Sequence, residues 1–585
     1  MKHIEALDLL KKYWGYSDFR GFQSSIIDSI LDGQNTIGLL PTGGGKSVCY
    51  QIPGLICPGT TLVISPLVAL MADQHEGLIK RGIKSYHFKG SYSSRQLDEA
   101  FRNLRYGKYK FAFVAPERLQ NELFLEYLKN ADISLIAIDE AHCISQWGFD
   151  FRPSYLNVRI LRDLLPNIPV LALTASATPR VKADLAEALR IADAKVFEGS
   201  VRRNNLHLNI QFTPNKERQL LRLLKRLEGT GIIYAKTRRN CEQLAALLST
   251  EGFTALHFHA GLDDKTKAIN QKQWIDNKVR TMVATTAFGM GIDKSDCAWV
   301  IHWDVPDTLE GYYQEVGRGG RNGLIASAYL LYHQYDIARL RKSITDLPDP
   351  QKVESFYNWF CSHYQIGIGG GSGAKVYFSI SELAKDAQLS VNTTLEYIRM
   401  LQNRGYWQFI ESERSVPRLQ VTSLPYQWNK LPKDEGEVLT AFYRIYPMSS
   451  DAPIRVDIER LASHFGLLPE QASKLLSSLH QKGVVSFEKE ESKSAILFLV
   501  DRPPKKLVKL PPKFVDSWIL SKKERSTFMI DFLASEECLF QQIEKYFGQE
   551  PQEKCGTCSR CTFDHYPDKD KIQSMRADGL QWDDI

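Results

Sequence analysis

No stretch of the 585 residues approaches the roughly 20 consecutive apolar positions that a membrane-spanning helix requires. The opening MKHIEALDLLKKYWGY also lacks the apolar core and small-residue cleavage site of a secretory leader. Paired cysteines are largely missing too. Of the ten cysteines, Cys49, Cys57, Cys143, Cys241, Cys297 and Cys361 stand singly, which excludes a disulfide framework and suits a reducing compartment. No charge sign dominates: 74 Lys and Arg face 68 Asp and Glu, and a net charge of +6 permits a polyanionic partner without demanding one. Apolar residues at 43% and charged residues at 24% exclude an intrinsically disordered chain. A cytoplasmic globular protein of about four domains is the expectation.

Short β-branched runs alternate with helical stretches between about residues 35 and 175: NTIGLL, TLVIS, KFAFVA, SLIAID and PVLALT. This is the pattern of a parallel sheet covered on both faces. A second series from about 207 contains GIIYA, ALHFH, TMVATT, AWVIHW and SAYLLY, so two α/β lobes in tandem are expected, with a cleft between them. The boundaries fall at 1–205 and 206–343. Beyond them the run IGIGGGSGA (366–374) reads as a flexible connector or a loop. Ser379 and Glu382 form a possible capping box, and Leu395, Ile398 and Leu401 give the next helix its apolar face. A second such unit has Ile458, Leu461, Ala462 and Phe465 on one helix, a turn at Gly466, and Leu475, Leu476 and Leu479 on another. Gly483 closes it, and VVSF and AILFLV flank a charged turn like the wing of a winged helix. A purely helical packing module fits the same pattern. The divisions expected here are 344–430, 431–502, 503–565 and a tail at 566–585.

The chemistry concentrates in a few stretches. Leu40 to Ser47, LPTGGGKS, follows one predicted strand and precedes a predicted helix, where backbone amides can wrap phosphate oxygens. Thr42, Gly43, Gly44 and Gly45 line the turn, Lys46 meets the terminal phosphates, and Ser47 offers a hydroxyl to Mg2+. The strict pattern wants glycine at Leu40. Asp139 and Glu140 follow the apolar strand SLIAI and face the same crevice. Asp139 can hold Mg2+, and Glu140 can deprotonate the water that attacks phosphorus. Arg318 and Arg321, in YYQEVGRGGRNG of the second lobe, can bring positive charge to the transition state, although a glycine-rich basic loop can equally be solvated surface. Trp147, Phe149, Phe151 and Arg152 offer stacking and cation–π surfaces a few residues from Glu140, unless they form a buried cluster.

Together these residues resemble a superfamily 2 helicase, and specifically the RecQ family. The match spans both lobes, and DEAHCISQWGFDFRPSY (139–155) is its most specific stretch. FRGFQ with Tyr16 ahead of it, SPLVALMADQ, VAPERL, ALTASAT, AFGMGIDK and GRGGR extend it. The resemblance implies RecA-like lobes, with Tyr16 stacking on adenine, Arg20 and Gln23 reading its edge, and Asp293 in the nucleotide site. It also implies that Thr174 and Ser176 link hydrolysis to lobe movement. Two letters depart: Phe149 stands where histidine is usual, and GRGGRNG replaces GRAGRDG.

Cys538, Cys555, Cys558 and Cys561 form a four-thiolate set suited to tetrahedral Zn2+, with an iron–sulfur cluster as the rival. The spacing resembles the RecQ zinc module, although Leu539 and Phe540 replace its usual basic pair. Its order is unusual, because both winged-helix candidates precede the cysteines rather than follow them. The helical nucleic-acid-binding module that often closes RecQ proteins is not found in the sequence. RPPKKLVKLPPK (502–513) can contact phosphates or be a solvated linker.

The expected architecture is therefore α/β: two RecA-like parallel-sheet lobes, winged-helix-like modules and a small zinc-binding helical module. The expected activity is ATP-dependent, 3′-to-5′ DNA unwinding in repair and recombination, with ATP, Mg2+ and Zn2+. The partners expected are single-stranded and duplex DNA, with repair or single-strand-binding proteins, for a monomer at the nucleoid and away from membranes. An RNA-stimulated ATPase of the same superfamily and a non-catalytic nucleic-acid-binding scaffold are the alternatives.

Overall fold

A computed structural model of the chain describes residues 2–562, apart from 91, 146–151, 290–293, 346–348, 415–417, 424–427, 429–430, 433–434, 437–438, 441, 444–453, 457, 459–468, 489–491, 506–507, 509 and 511. The chain forms two compact units, residues 1–347 with those from 510 onward, and residues 348–509.

The first unit contains two wholly parallel sheets. Strands β1 (Thr36–Leu39), β2 (Thr60–Ile64), β3 (Ser85–His87), β4 (Phe111–Val114), β5 (Ile133–Ile138), β6 (Val170–Thr174) and β7 (Lys195–Glu198) lie in the order β3-β4-β2-β5-β6-β1-β7. Every residue of β1, β2, β4 and β6 is buried, which is why these strands read as unbroken apolar runs rather than as alternation. The short edge strands β3 and β7 carry no such run and escape a sequence reading. The order β5-β6-β1 has a functional consequence: in a parallel sheet it sets the loops after these three strands side by side along one edge.

The second sheet comprises β8 (Leu206–Phe212), β9 (Thr230–Tyr234), β10 (Ala255–Phe258), β11 (Thr281–Ala284), β12 (Cys297–His302) and β13 (Ala326–Tyr332), in the order β10-β11-β9-β12-β13-β8. The outer edge of β8 is covered by the cysteine-bearing segment. Ser559 donates its amide to the Leu208 carbonyl at 2.9 Å, and its Oγ accepts the Ile210 amide at 3.1 Å. An uncovered edge would offer these groups to other chains.

The cysteine segment therefore belongs with the second lobe despite its distance in sequence. The helix Pro512–Ala534 packs on the helix Gln334–Thr345. Leu539, Phe540, Ile543 and Phe547 share one apolar core with Tyr312, Tyr313 and Leu330. Residues 348–509 are thus an insertion between the second lobe and the cysteine-bearing segment that packs on it.

The inserted unit departs from the expected tandem arrangement. It contains one antiparallel sheet of β14 (Lys375–Phe378), β15 (Trp407–Arg414) and β19 (Ser492–Phe498), in the order β14-β19-β15. A second contains β16 (Arg418–Val421), β17 (Ile454–Arg455) and β18 (Val485–Glu488), in the order β17-β16-β18. VVSF and AILFLV therefore do not form one wing. The first pairs with β16, and the second crosses to β14 and β15, so the second module is nested inside the first. Leu476 and Leu479 are buried and Gly483 takes φ +69° after the helix Pro469–Gln481, whereas Leu461, Ala462, Phe465 and Gly466 lie outside the described residues.

Local contacts decide three further details of this unit. Of its two readings, the glycine run takes that of a loop rather than a connector: Gly369 N donates to Arg502 O at 2.8 Å and Gly373 N to Phe498 O at 2.9 Å, tying it to the chain after β19. Arg502 turns inward, its guanidinium donating to Ile366 O at 2.6 Å rather than standing ready for phosphate. Ser379 does precede the helix Ile380–Asp386, but its hydroxyl makes no capping bond and lies 2.9 Å from Ser381 Oγ instead.

Candidate nucleotide and metal sites

Three loops meet along the edge built by β5, β6 and β1. After β1, Gly43 and Gly45 take φ +78° and +71°, the left-handed region that glycine enters freely, and turn the chain into the helix Val48–Ile56. Gln23 Nε2 donates to the carbonyls of Gly44 at 2.9 Å and Gly45 at 3.1 Å, so tightly that a side chain at Gly45 would collide with it. Its Oε1 accepts the Arg20 amide at 2.9 Å. Gln23 here braces the phosphate loop, a use not anticipated for a base-reading side chain. Tyr16 is 48% exposed, with the Arg20 guanidinium 5.3 Å from its ring centre.

At the end of β5, Asp139 is buried and its Oδ1 accepts the Glu140 amide at 3.0 Å. Burial and the Glu140 charge push its carboxyl up to about 6, against the pull of Lys46. Glu140 occupies the left-handed region at φ +48°, which a non-glycine residue adopts only when its surroundings hold it there. Its carboxylate lies 3.1 Å from Lys46 Nζ and 3.4 Å from His142 Nδ1. Burial alone would raise the Glu140 carboxyl, but the charges of Lys46, His142 and Arg318 outweigh it and hold it below the usual value. His142 Nδ1 is also 2.8 Å from Thr174 Oγ1 at the end of β6, which accepts the Ser176 amide at 3.3 Å. Ser176 Oγ in turn accepts from Gln314 Nε2 of the second lobe at 3.3 Å.

The second lobe thus closes directly on this edge. Thr42 packs against Gly317, where any side chain would collide with the Thr42 hydroxyl. Arg318 is buried and acts electrostatically on Glu140. Arg321 lies against the phosphate loop, its Cγ 3.2 Å from where a Cβ on Gly43 would stand. Buried polar atoms without a hydrogen-bond partner mark the pocket: Thr42 Oγ1, Glu140 Oε2 and Arg318 Nε. Cationic donors and a glycine cradle suit a nucleotide triphosphate, and Ser47 with Asp139 supplies the oxygen ligands that Mg2+ prefers.

Other expected residues fall elsewhere or outside view. Trp147, Phe149, Phe151 and Asp293 lie outside the described residues. Arg152 directs its guanidinium to Pro66 O at 2.7 Å. His142, Gln314, Arg203 and Asn205 were given no role from the sequence. His142 stands in the Asp139 to Tyr155 stretch and Gln314 four residues before Arg318, both in segments that already drew notice, whereas Arg203 and Asn205 do not.

The four cysteines converge, all their sulfurs within 4.8 Å of one another. Sulfur separations of 3.5, 3.9 and 4.0 Å are far longer than a disulfide and match the roughly 3.8 Å expected for thiolates 2.3 Å from one tetrahedral ion. A cluster would spread its thiolates over separate irons and hold them farther apart. Cys538 caps the helix Leu539–Tyr546, and amides of Leu539, Cys555 and Cys558 approach the sulfurs at 3.5, 3.4 and 3.3 Å. The residues fit one Zn2+ and its charge.

Residues 20–185 match the DEAD/DEAH box helicase model, and residues 215–323 match the helicase conserved C-terminal domain. The chain is 41% identical over 335 residues to the ATP-dependent DNA helicase RecQ of Bacillus subtilis, covering 57% of each protein. It is 39% identical to the Pasteurella multocida RecQ, covering 59% of this chain and 55% of that one. It is also 41% identical to the probable ATP-dependent DNA helicase RecS of B. subtilis, covering 55% and 66%. Yeast Dbp5 bound to RNA and ADP BeF3 is similar at a TM-score of 0.46 and 17% identity, over 58% of this chain and 90% of that one. The matched part thus spans little more than half the length of the two RecQ relatives.

Proposed function

We propose that this chain is a RecQ-type superfamily 2 helicase, an ATP-driven DNA helicase that advances 3′-to-5′ on one strand and separates the duplex ahead, in repair and recombination. The observation that carries this reading is that Lys46 of the first lobe and Arg318 of the second both bring positive charge to the Glu140 carboxylate.

Lys46 and Glu140 neutralise each other across 3.1 Å. Arriving phosphates compete for the Lys46 ammonium, and Glu140, relieved of that partner, is left to accept the proton of the attacking water. Arg318 and Arg321 stabilise the charge that develops on the phosphoryl oxygens. Asp139 and Ser47 would hold Mg2+, which would supply charge neutralisation to the phosphates. The Thr174, Ser176 and Gln314 contacts carry the change in this pocket to the other lobe, so hydrolysis opens and closes the cleft on a strand. The four cysteines would hold Zn2+ as a structural ion. We take the working unit to be a cytoplasmic monomer at the nucleoid, with single-strand-binding and repair proteins as neighbours.

The test compares ATP turnover with DNA and RNA single strands, then unwinding of duplexes tailed at either end. DNA stimulation and unwinding from a 3′ tail support the proposal. Preferential RNA stimulation, or opening only from a 5′ tail, overturns its substrate or its polarity. Glu140→Gln is expected to keep nucleotide binding and lose turnover about a hundredfold or more; unchanged turnover would remove Glu140 from its role.

A further inference from the structure

The arginine loop poses a physical problem. Gly317, Gly319, Gly320 and Gly323 leave its backbone with few conformational restraints, yet Arg318 must arrive in one place. The restraint comes from the segment joining the lobes. Arg203 donates to Gly317 O at 2.9 Å, Gly319 O at 2.8 Å and Gly320 O at 2.7 Å, gripping the chain on both sides of Arg318. Asn205 Nδ2 adds bonds to Gly320 O at 2.7 Å and Leu324 O at 2.8 Å. Gly317 is also the cap residue of the helix Leu309–Val316, so the guanidinium sits at a negative helix end. A planar fork of donors can serve three separate carbonyls at once; an ammonium cannot do so with the same geometry.

Arg203 is itself anchored. Its neighbour Arg202 makes a two-pronged pair with the buried Glu544, at 2.9 and 3.0 Å, on the helix that Cys538 caps. Arg202 also donates to Glu553 O at 2.7 Å, just before the cysteine knuckle.

We propose that Arg203, seconded by Asn205, is a positioning residue for ATP hydrolysis: it holds the arginine loop so that Arg318 is presented to the pocket without itself touching the reacting atoms. The inference rests on the functional reading above and adds to it a residue that acts only through another.

The experiment uses the full chain, with Arg203→Ala, Arg203→Lys, Arg318→Ala and the Arg203→Ala/Arg318→Ala double variant. DNA-stimulated turnover, KM and equilibrium binding of a fluorescent ATP analogue are measured beside thermal melting. Arg203→Ala is expected to lower kcat roughly ten- to a hundredfold, with analogue affinity within about threefold, since misplacement by an ångström costs rate rather than binding. Arg203→Lys does not restore the rate, whereas added guanidinium partly restores it in Arg203→Ala. In the Arg318→Ala background the Arg203 effect vanishes, because there is no longer a side chain to position. An unchanged kcat in folded Arg203→Ala, or penalties that multiply fully in the double variant, would overturn the proposal. Should Arg203→Ala not fold, Asn205→Ala carries the same test: a severalfold loss that disappears with Arg318→Ala supports it, and an unchanged kcat overturns it. A wild-type chain without any nucleotide turnover would sink the functional reading instead, whereas an active wild type equalled by Arg203→Ala sinks this inference alone.

Discussion

Leu539 and Phe540 show how one position changes its meaning when its surroundings are known. Both are buried in the core shared with the second lobe, so neither is a surface from which a DNA contact was lost. Restoring charge with Leu539→Arg should cost about 3 kcal/mol or more, because a buried cation without a partner is among the severest single changes. Urea unfolding would show it, and a cost under about 1 kcal/mol would mean the site is wetter than its burial indicates. His87 makes a second residue-scale prediction. It is buried on β3 with no hydrogen-bond partner at either ring nitrogen, and burial, with Lys89, His75 and Arg118 nearby, pulls it from 6.5 down to about 4. Its folded value is depressed, so its contribution is complete above about pH 6.5, where both states are neutral. That contribution is lost as pH falls toward 4, where only the unfolded chain gains the proton. His87→Phe should flatten the acid slope of the unfolding midpoint between those limits; parallel curves for the two proteins would rule His87 out. That Lys46 and Glu140 would meet was legible in the sequence, because each stands in a local motif at the end of a strand. Arg203 was not, because its meaning lies in carbonyls more than a hundred residues away.

At the scale of elements, periodicity revealed strands but not their partners. The runs of the two large sheets could be read because parallel strands buried on both faces carry a continuous apolar signal. VVSF and AILFLV were misassigned to one wing for the opposite reason: a short connection suggests a hairpin, and nothing local announces that β19 pairs instead with strands formed more than 75 residues earlier. The nested arrangement is testable. Glu413 pairs with Lys493 and Arg414 with Ser492, so the chain leaves and re-enters the first sheet at directly opposed positions. Replacing residues 415–491 by an Asn-Gly turn in the full chain should therefore leave the amides of β14, β15 and β19 protected from hydrogen exchange. Loss of that protection would show that the inner module supports the outer one rather than merely residing in it.

The whole molecule is organised around a detour. The polypeptide completes both lobes, builds a separate unit, and then returns to the second lobe with its cysteines. Removing the metal with a chelator should destabilise the lobes by several kcal/mol, since binding energy at such a site is folding energy. Hydrogen exchange should rise in β8 and in the helix Leu539–Tyr546 while β14, β15 and β19 stay protected; equal loosening of both units would contradict this division. The grouping of the four cysteines was expected from their spacing, but their attachment was not, because sequence order carries no information about which earlier surface a late segment will cover. That lateness matters on the ribosome. Ser559, which closes the margin of β8, emerges roughly 230 residues after β13 is finished, a wait on the order of ten to fifty seconds at ordinary elongation rates. Throughout that interval the nascent chain exposes an open strand and a bare apolar flank, so its safe synthesis depends on whatever shelters an unfinished chain.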